Sequence, residues 1–261
     1  MQESTESFDA TESKASSLAD AAKRRFLGGI GALAAALPAG MAFSPLADAR
    51  PADEPVSSDT RWGMLIDTTK CSKGCTACVD ACEEENGLTG HDRPLTDPQW
   101  IRKVELKHKV TEQTFSLPMP CQHCNNPPCV DVCPTGASFR RDDGIVLVDR
   151  HICIGCRYCM MACPYKARSF VHETLTDQKP HMPRGKGCVE SCTFCVHRVD
   201  AGNLQPACVE ACDKDGHKAM IFGDLKDPES ELSKEMMKAA NSQIRKDLGT
   251  APGVFYRGIP T

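Results

Sequence analysis

The spacing of the cysteines between residues 121 and 163 constrains this chain more than any other feature. Residues 153–164 read CIGCRYCMMACP, a CxxCxxCxxxCP run. Residues 121–134 read CQHCNNPPCVDVCP, the same run with two extra residues before its third cysteine. Three thiols on so short a tether can converge on one small object, but the fourth is awkward for the same loop to supply. Pro134 and Pro164 follow the fourth cysteines, and a residue with no N–H and a fixed φ shapes the turn out of each loop. Gly155 suits a loop in tight approach to its surroundings. Between the two runs, residues 144–149 (GIVLVD) read as a strand, and residues 167–172 read as another after the second run.

Seventeen cysteines in 261 residues admit three chemistries: a disulfide scaffold, zinc knuckles, or iron–sulfur clusters. The odd total argues against a fully disulfide-bonded chain. The CxxCxxCxxxCP run is the one that holds 4Fe–4S clusters in bacterial ferredoxins, where the fourth cysteine of each run ligates the other cluster. That crossover predicts two ligand sets here. Cys121, Cys124 and Cys129 are completed by Cys163; Cys153, Cys156 and Cys159 are completed by Cys133.

Two further quartets flank this centre. Residues 62–67 (WGMLID) read as a strand running into CSKGCTACVDAC, with Cys71, Cys75, Cys78 and Cys82. Its first pair is one residue wider than usual, and Gly74 offers a place for the loop to absorb the excess. The last quartet is Cys192, Cys195, Cys208 and Cys212, with twelve residues between its second and third cysteines. By the same crossover, Cys71, Cys75 and Cys78 pair with Cys212, and Cys192, Cys195 and Cys208 with Cys82. The motif pairing is then nested, first with fourth and second with third. Sixteen thiolates fill four 4Fe–4S clusters. Cys188 is left over, as a spare thiol beside a cluster or an alternate ligand.

The expected fold class is α+β: two nested bacterial ferredoxin-like dicluster units with a β-hairpin insert and a C-terminal helix. The four-cluster domain spans 62–230, with an inner unit at 119–172 inside an outer unit of 62–118 and 173–230. In the insert, residues 101–110 alternate like a strand with a solvated Lys face, and 114–117 read as its hairpin partner. Residues 218–224 read as a closing strand. Residues 231–261 hold a helix and a tail. The helix is expected over 233–248, with Met236, Met237, Ala240 and Ile244 near one face, and the tail from 249 has no clear period.

Aromatics make up only 5% of the chain, a thin supply for a packed core of this length, and inorganic centres could substitute for the missing hydrophobic volume. The net charge of -4 and the lack of a basic patch interleaved with aromatics argue against nucleic acid as a partner. No CxxCH haem site, dinucleotide fingerprint or HExxH motif occurs, which points to a carrier of electrons with no small-molecule substrate of its own. His123 and His197 read as neighbours of the clusters rather than ligands. Arg140, Arg141, Arg157, Lys166 and Arg168 lie near the central motifs, either balancing charge or raising cluster potentials.

The N-terminus reads as an address. Residues 23–27 (KRRFL) precede the apolar run GGIGALAAALPAGMAF, and Ala47-Asp48-Ala49 supplies an A-x-A cleavage site. Residues 1–49 resemble a twin-arginine signal, although the arginine pair and Phe26-Leu27 are not spaced quite as that pattern has them. The apolar run is short for a membrane-spanning helix; an uncleaved anchor is the alternative. The twin-arginine route exports folded proteins, so a periplasmic protein with clusters built in the cytosol would need it. Residues 50–61 read as a Pro- and acid-rich linker.

The order of the four motifs resembles the four-cluster iron–sulfur subunits of DMSO-reductase and nitrite-reductase chains, over nearly all of the chain after the signal. The phrases WGMLIDTTKC, TDPQWIRKVEL, CQHCNNPPCVDVCPTGASF, CIGCRYCMMACPYKARSF and HKAMIFGDL are most similar to the branch that serves dissimilatory sulfur metabolism. That resemblance implies a subunit without catalysis of its own, held at the membrane by a polytopic quinone-interacting subunit. It also implies a periplasmic multihaem cytochrome c and other subunits of a complex as partners. The alternative within the family is a subunit of a molybdenum oxidoreductase or nitrite reductase complex.

Overall fold

Trp62–Asp67 forms β1, and every residue after Trp62 in it is buried. The computed structural model describes residues 54–259, apart from 89, 108, 110, 111, 177, 203 and 204. The expected signal at 1–49 and the start of the linker lie outside the described residues. After β1 the chain runs through α1 (Ala77–Asn86), β2 (Arg102–Lys107), β3 (Thr114–Met119), α2 (Pro128–Asp131), β4 (Ser138–Arg140) and β5 (Val146–Val148). It continues with α3 (Tyr158–Ala162), β6 (Ser169–Phe170), β7 (Val189–Glu190), α4 (Val196–Asp200), α5 (Ala207–Lys214), β8 (Met220–Asp224), α6 (Glu231–Lys238) and β9 (Val254–Arg257). The mixture is α+β. Among the described residues no helix is long and apolar enough to cross a membrane.

The largest sheet has the order β8-β1-β9. β1 runs antiparallel to β8, with Met64 opposite Phe222 and Ile66 opposite Met220. It runs parallel to β9, with Met64 opposite Val254 and Ile66 opposite Tyr256. All six side chains are buried, as side chains on one face of a pleated sheet are when that face meets the core. On the way from β1 to β8 the chain passes through the first and last cysteine loops, and their helices α1 and α5 pack on each other. Between them in sequence, α2 packs on α3, and β4 and β5 form a hairpin.

One arginine of the expected linker fastens these two parts. Arg61 donates from Nη1 to the Gly144 carbonyl (2.8 Å) and from Nη2 to the His123 carbonyl (2.6 Å). Its backbone N–H bonds Asp224 Oδ1 at 2.8 Å, so the end of β8 is held by the same residue.

The insert is the expected hairpin, with Arg102 opposite Met119 through to Lys107 opposite Thr114. It is not merely a solvated face. Trp100 and Ile101 at its start are buried in the main core. Lys103 donates to the Ser72 carbonyl at 2.7 Å and to the Cys75 carbonyl, so a lysine read as exposed clasps the first cysteine loop.

The C-terminal part corrects the sequence reading twice. The helix is Glu231–Lys238, not 233–248. Ser230 caps its N-terminus, with Oγ accepting from Ser233 N, and Leu232 is its fully buried anchor. Asn241 Nδ2 bonds the Met236 carbonyl at 3.0 Å, which satisfies a helix end, and Met237 is 75% exposed. The tail then returns as β9. On its way, Asn125 N and Asn126 N donate to the carbonyls of Ala251 and Thr250, so residues 249–253 strap the second cysteine loop.

Candidate iron–sulfur centres

The structure brings two of the four expected cysteine sets together around cavities, and places members of the other two beside one another. Cys71, Cys75, Cys78 and Cys212 line one cavity together with Lys103, Pro118 and His217. The wide CxxxC spacing therefore leaves Cys71 in the set. Gly74 absorbs the extra residue at φ +78° with open space where a Cβ would stand. Cys82, Cys192, Cys195 and Cys208 line a second cavity with Asn86, Trp100, Ile101 and Phe194. The Trp100 and Ile101 walls come from the insert, and nothing in its local pattern pointed to a role beside a cysteine set.

In the third quartet, Cys124 and Cys129 both feel the charge of Cys163, and Cys121 feels that of Cys129. In the fourth, Cys159 feels Cys153 and Cys133, while Cys156 stands exposed on the loop between Cys153 and Cys159.

Neighbouring quartets touch electrostatically in a single order. Cys78 of the first acts on Cys82 and Cys208 of the second. Cys192 of the second acts on Cys121 of the third. Cys159 of the fourth acts on Cys129 of the third. Burial follows that order: all thiols of the second and third quartets are buried, whereas the first and fourth each contain partly or fully exposed ones. The second and third sets are thus buried, and the first and fourth reach the surface.

The donor chemistry fits iron–sulfur clusters. Burial, followed by the neighbouring Cys71 and Cys212, pushes the Cys78 thiol up to about 12. Burial raises Cys192 to about 12 and Cys124 to about 11. Thiolates crowded in such places need a cation among them, and iron supplies it. The loops also present N–H groups to sulfur: Ala219 N to Cys212 at 3.3 Å, Phe194 N to Cys192 at 3.5 Å, Ser138 N to Cys133 at 3.3 Å and Val189 N to Cys153 at 3.5 Å. Hydrogen bonds to sulfur are one of the levers by which a protein sets a cluster's potential.

Cys188 is buried beside the fourth quartet. Its Sγ donates to the Arg150 carbonyl at 3.3 Å. His123 is fully buried and held neutral by burial, then by the charges of Arg61 and Arg168. Its Nδ1 accepts from Val146 N at 3.0 Å and its ring stacks on Phe194 at 3.6 Å. It joins the second cysteine loop to β5 and to the fourth loop. His197 and His181 approach Glu85, but Glu85 sits in the fork of Arg198 (2.9 and 2.7 Å). Hydrogen bonding by Arg198 is the largest of the effects that hold its carboxyl down at about 2. That cluster is an ion-pair network linking α1, α4 and α5 rather than a metal site.

Gly155 is required by the fourth quartet's loop. It sits at φ +68°, and a Cβ there would lie 2.1 Å from the Gly187 carbonyl oxygen. Backbone cannot yield as a side-chain tip can. Gly155→Ala is expected to lose the iron of the Cys133, Cys153, Cys156 and Cys159 set while the rest is retained, measured as iron per chain. Unchanged iron content would show that the loop has slack there.

Comparison with known proteins agrees with this chemistry. A 4Fe-4S dicluster domain family matches residues 112–225, and a second 4Fe-4S dicluster domain family matches residues 70–137. The chain is 42% identical to the Hdr-like menaquinol oxidoreductase iron-sulfur subunit 1 of Archaeoglobus fulgidus, over 90% of this chain and 97% of that one. It is 42% identical to a subunit of the tetrathionate reductase of Salmonella typhimurium (92% and 89% covered) and 38% identical to protein NrfC of Escherichia coli (89% and 93%).

Proposed function

The chain belongs to the family of 4Fe–4S ferredoxin-type iron–sulfur subunits of oxidoreductase complexes, and within it we propose a linear four-cluster relay of the DsrO type. It is an electron-transfer subunit and not a catalytic one. In this reading it serves a DsrMKJOP-like complex of dissimilatory sulfur metabolism, relaying electrons between a quinone-interacting membrane subunit and a periplasmic multihaem cytochrome c. The observation that carries the relay is that the second and third thiol quartets are buried while the first and fourth reach the surface.

When bound, 4Fe–4S clusters supply one-electron chemistry over a wide range of potentials. What the chain contributes is order, insulation and two unlike ends. The two inner quartets are shielded by Trp100, Phe194, Tyr165 and the strap at 249–253. At the fourth quartet the surface is apolar: Val132, Phe139, Ile152, Ile154, Tyr158 and Met161 are all exposed large hydrophobics in and around its loops. Lasting subunit contacts are the more hydrophobic kind, which supports this end as the one that meets the membrane subunit. At the first quartet the rim is charged, with Lys103, Asp215 and His217, which suits exchange with a soluble cytochrome. Residues 23–49 support export of the folded protein to the periplasm by the twin-arginine route.

Iron and acid-labile sulfide are to be measured on anaerobically prepared protein. About sixteen irons per chain support four clusters; zinc without sulfide would sink the relay. The relatives named for tetrathionate reductase and NrfC keep a second reading in view, a subunit of a molybdenum oxidoreductase or nitrite reductase complex. Isolation of the native complex separates the two. A c-type cytochrome with a polytopic membrane subunit supports the first, and a molybdenum subunit the second.

A further inference from the structure

Five cations flank the central cysteine loops in sequence, and the fold uses four of them in ordinary ways. Arg140 donates to Asn125 Oδ1 at 2.8 Å. Arg141 ion-pairs with Asp143 and Asp200. Arg157 lies over the Phe170 ring, 4.1 Å from its centroid. Lys166 is exposed.

Arg168 is different. It is buried, with 6% of its surface exposed. Its Nη2 donates to Cys129 Sγ at 3.1 Å and to Ser138 Oγ at 2.7 Å. Among the described residues its Nε and Nη1 have no partner within ordinary hydrogen-bond geometry, and the guanidinium also acts on the Cys159 thiol. The groups that favour its charge are thiols: Cys129 first, then Cys159 and Cys121. No carboxylate is among them. A buried guanidinium without a counter-charge is costly, so a chain that keeps one there supplies the negative charge by other means. Here those means are cysteine sulfurs from two different quartets, since Cys129 and Cys121 belong to the third and Cys159 to the fourth.

We propose that Arg168 is a positioning residue shared by these two clusters, a single buried charge that holds both of their potentials up. The inference rests on the four-cluster reading. Reduction adds negative charge to a cluster, and a fixed cation in a poorly screened place favours the reduced form. A hydrogen bond to a ligand sulfur acts in the same direction. Because Arg168 stands between the third and fourth quartets, its effect is confined to the end of the relay that reaches the apolar surface. The first and second quartets have other cations nearby, Lys103 acting on Cys78 and Arg198 on Cys195.

The test is an EPR-monitored redox titration of the anaerobically purified full chain, parent against Arg168→Gln. Iron and sulfide are counted first, and that count reads the four-cluster assignment separately from the role of Arg168. Cys156→Ser marks the signal of the exposed cluster. With iron retained, Arg168→Gln is expected to lower two midpoint potentials together, one of them the marked cluster, and to leave the other two in place. Arg168→Lys keeps the charge and gives a smaller fall at the same two. Arg140→Gln moves none. Unchanged potentials in Arg168→Gln, or an equal fall at all four, overturn the proposal. If Arg168→Gln comes up short of iron, Arg168→Lys decides. Full iron with a fall confined to those two clusters supports the role. A fall at all four clusters, or loss of iron there too, makes Arg168 a scaffold residue and overturns it.

Discussion

Stripping iron from the protein under anaerobic conditions is expected to unfold the described domain rather than leave an apo form of the same shape. Cysteine side chains take up much of the core: Cys78, Cys82, Cys121, Cys124, Cys163, Cys192, Cys208 and Cys212 all lie in its main cluster. Among the described residues the longest helix has ten residues and the longest strands six. Helices that short are marginal alone and depend on packing. Two of the helices, α1 and α5, each carry cysteines of two different quartets, so losing the iron removes what they pack around. Metal-binding free energy is then folding free energy. The thiols set the sign of the pH effect. In the unfolded metal-free chain a cysteine titrates at about 8.5 and is protonated at neutral pH, so loading releases protons and is favoured as pH rises. The check is a chelator titration followed by visible absorbance and far-UV circular dichroism. Coincident loss of both is the expected result. Helical signal that survives the loss of colour would mean the polypeptide preforms its sites.

The cysteine motifs were legible because their spacing is local, and the expected crossover between loops follows the pattern of two-cluster ferredoxins. β1 and β8 were legible for the same kind of reason, each being an apolar run placed beside a cysteine loop. β9 was not. Its four residues pair in parallel with a strand nearly the whole domain away, and no short-range pattern encodes such a partner. β6 and β7 are two residues each, and the second had no signal at all. The helix from Glu231 ran short because periodicity at Met236, Ala240 and Ile244 says nothing of the Asn241 side chain that takes the Met236 carbonyl. Of the five cations near the central loops, sequence could not tell Arg168 from its neighbours. Only burial and the distance to Cys129 do that.

Glu190→Leu is expected to be among the most damaging substitutions outside the cysteines, costing about 3–5 kcal/mol. Glu190 and Arg184 form a fully buried fork, with Nε to Oε2 at 3.0 Å and Nη2 to Oε1 at 2.9 Å. Arg184 Nη1 also donates to the Gly87 carbonyl, just past the end of α1. Gln178 holds the backbone of Arg184 from both sides, accepting from its N–H at 2.9 Å and donating to its carbonyl at 2.6 Å. The fork therefore ties the helix that carries Cys78 and Cys82 to the strand that leads into Cys192. Removing the carboxylate leaves the buried Arg184 guanidinium without the partner of this fork. For a domain of this size that loss corresponds to a fall in melting temperature on the order of ten degrees. The double substitution Arg184→Met with Glu190→Leu removes both charges and fills the space with apolar atoms. It is expected to recover most of the loss, because a buried ion pair is worth far less than the cost of half of one. Anaerobic thermal unfolding of the two variants, compared at one scan rate, makes the check. A double variant as unstable as the single one would show that the fork acts through its hydrogen bond to Gly87 and not through balanced charge.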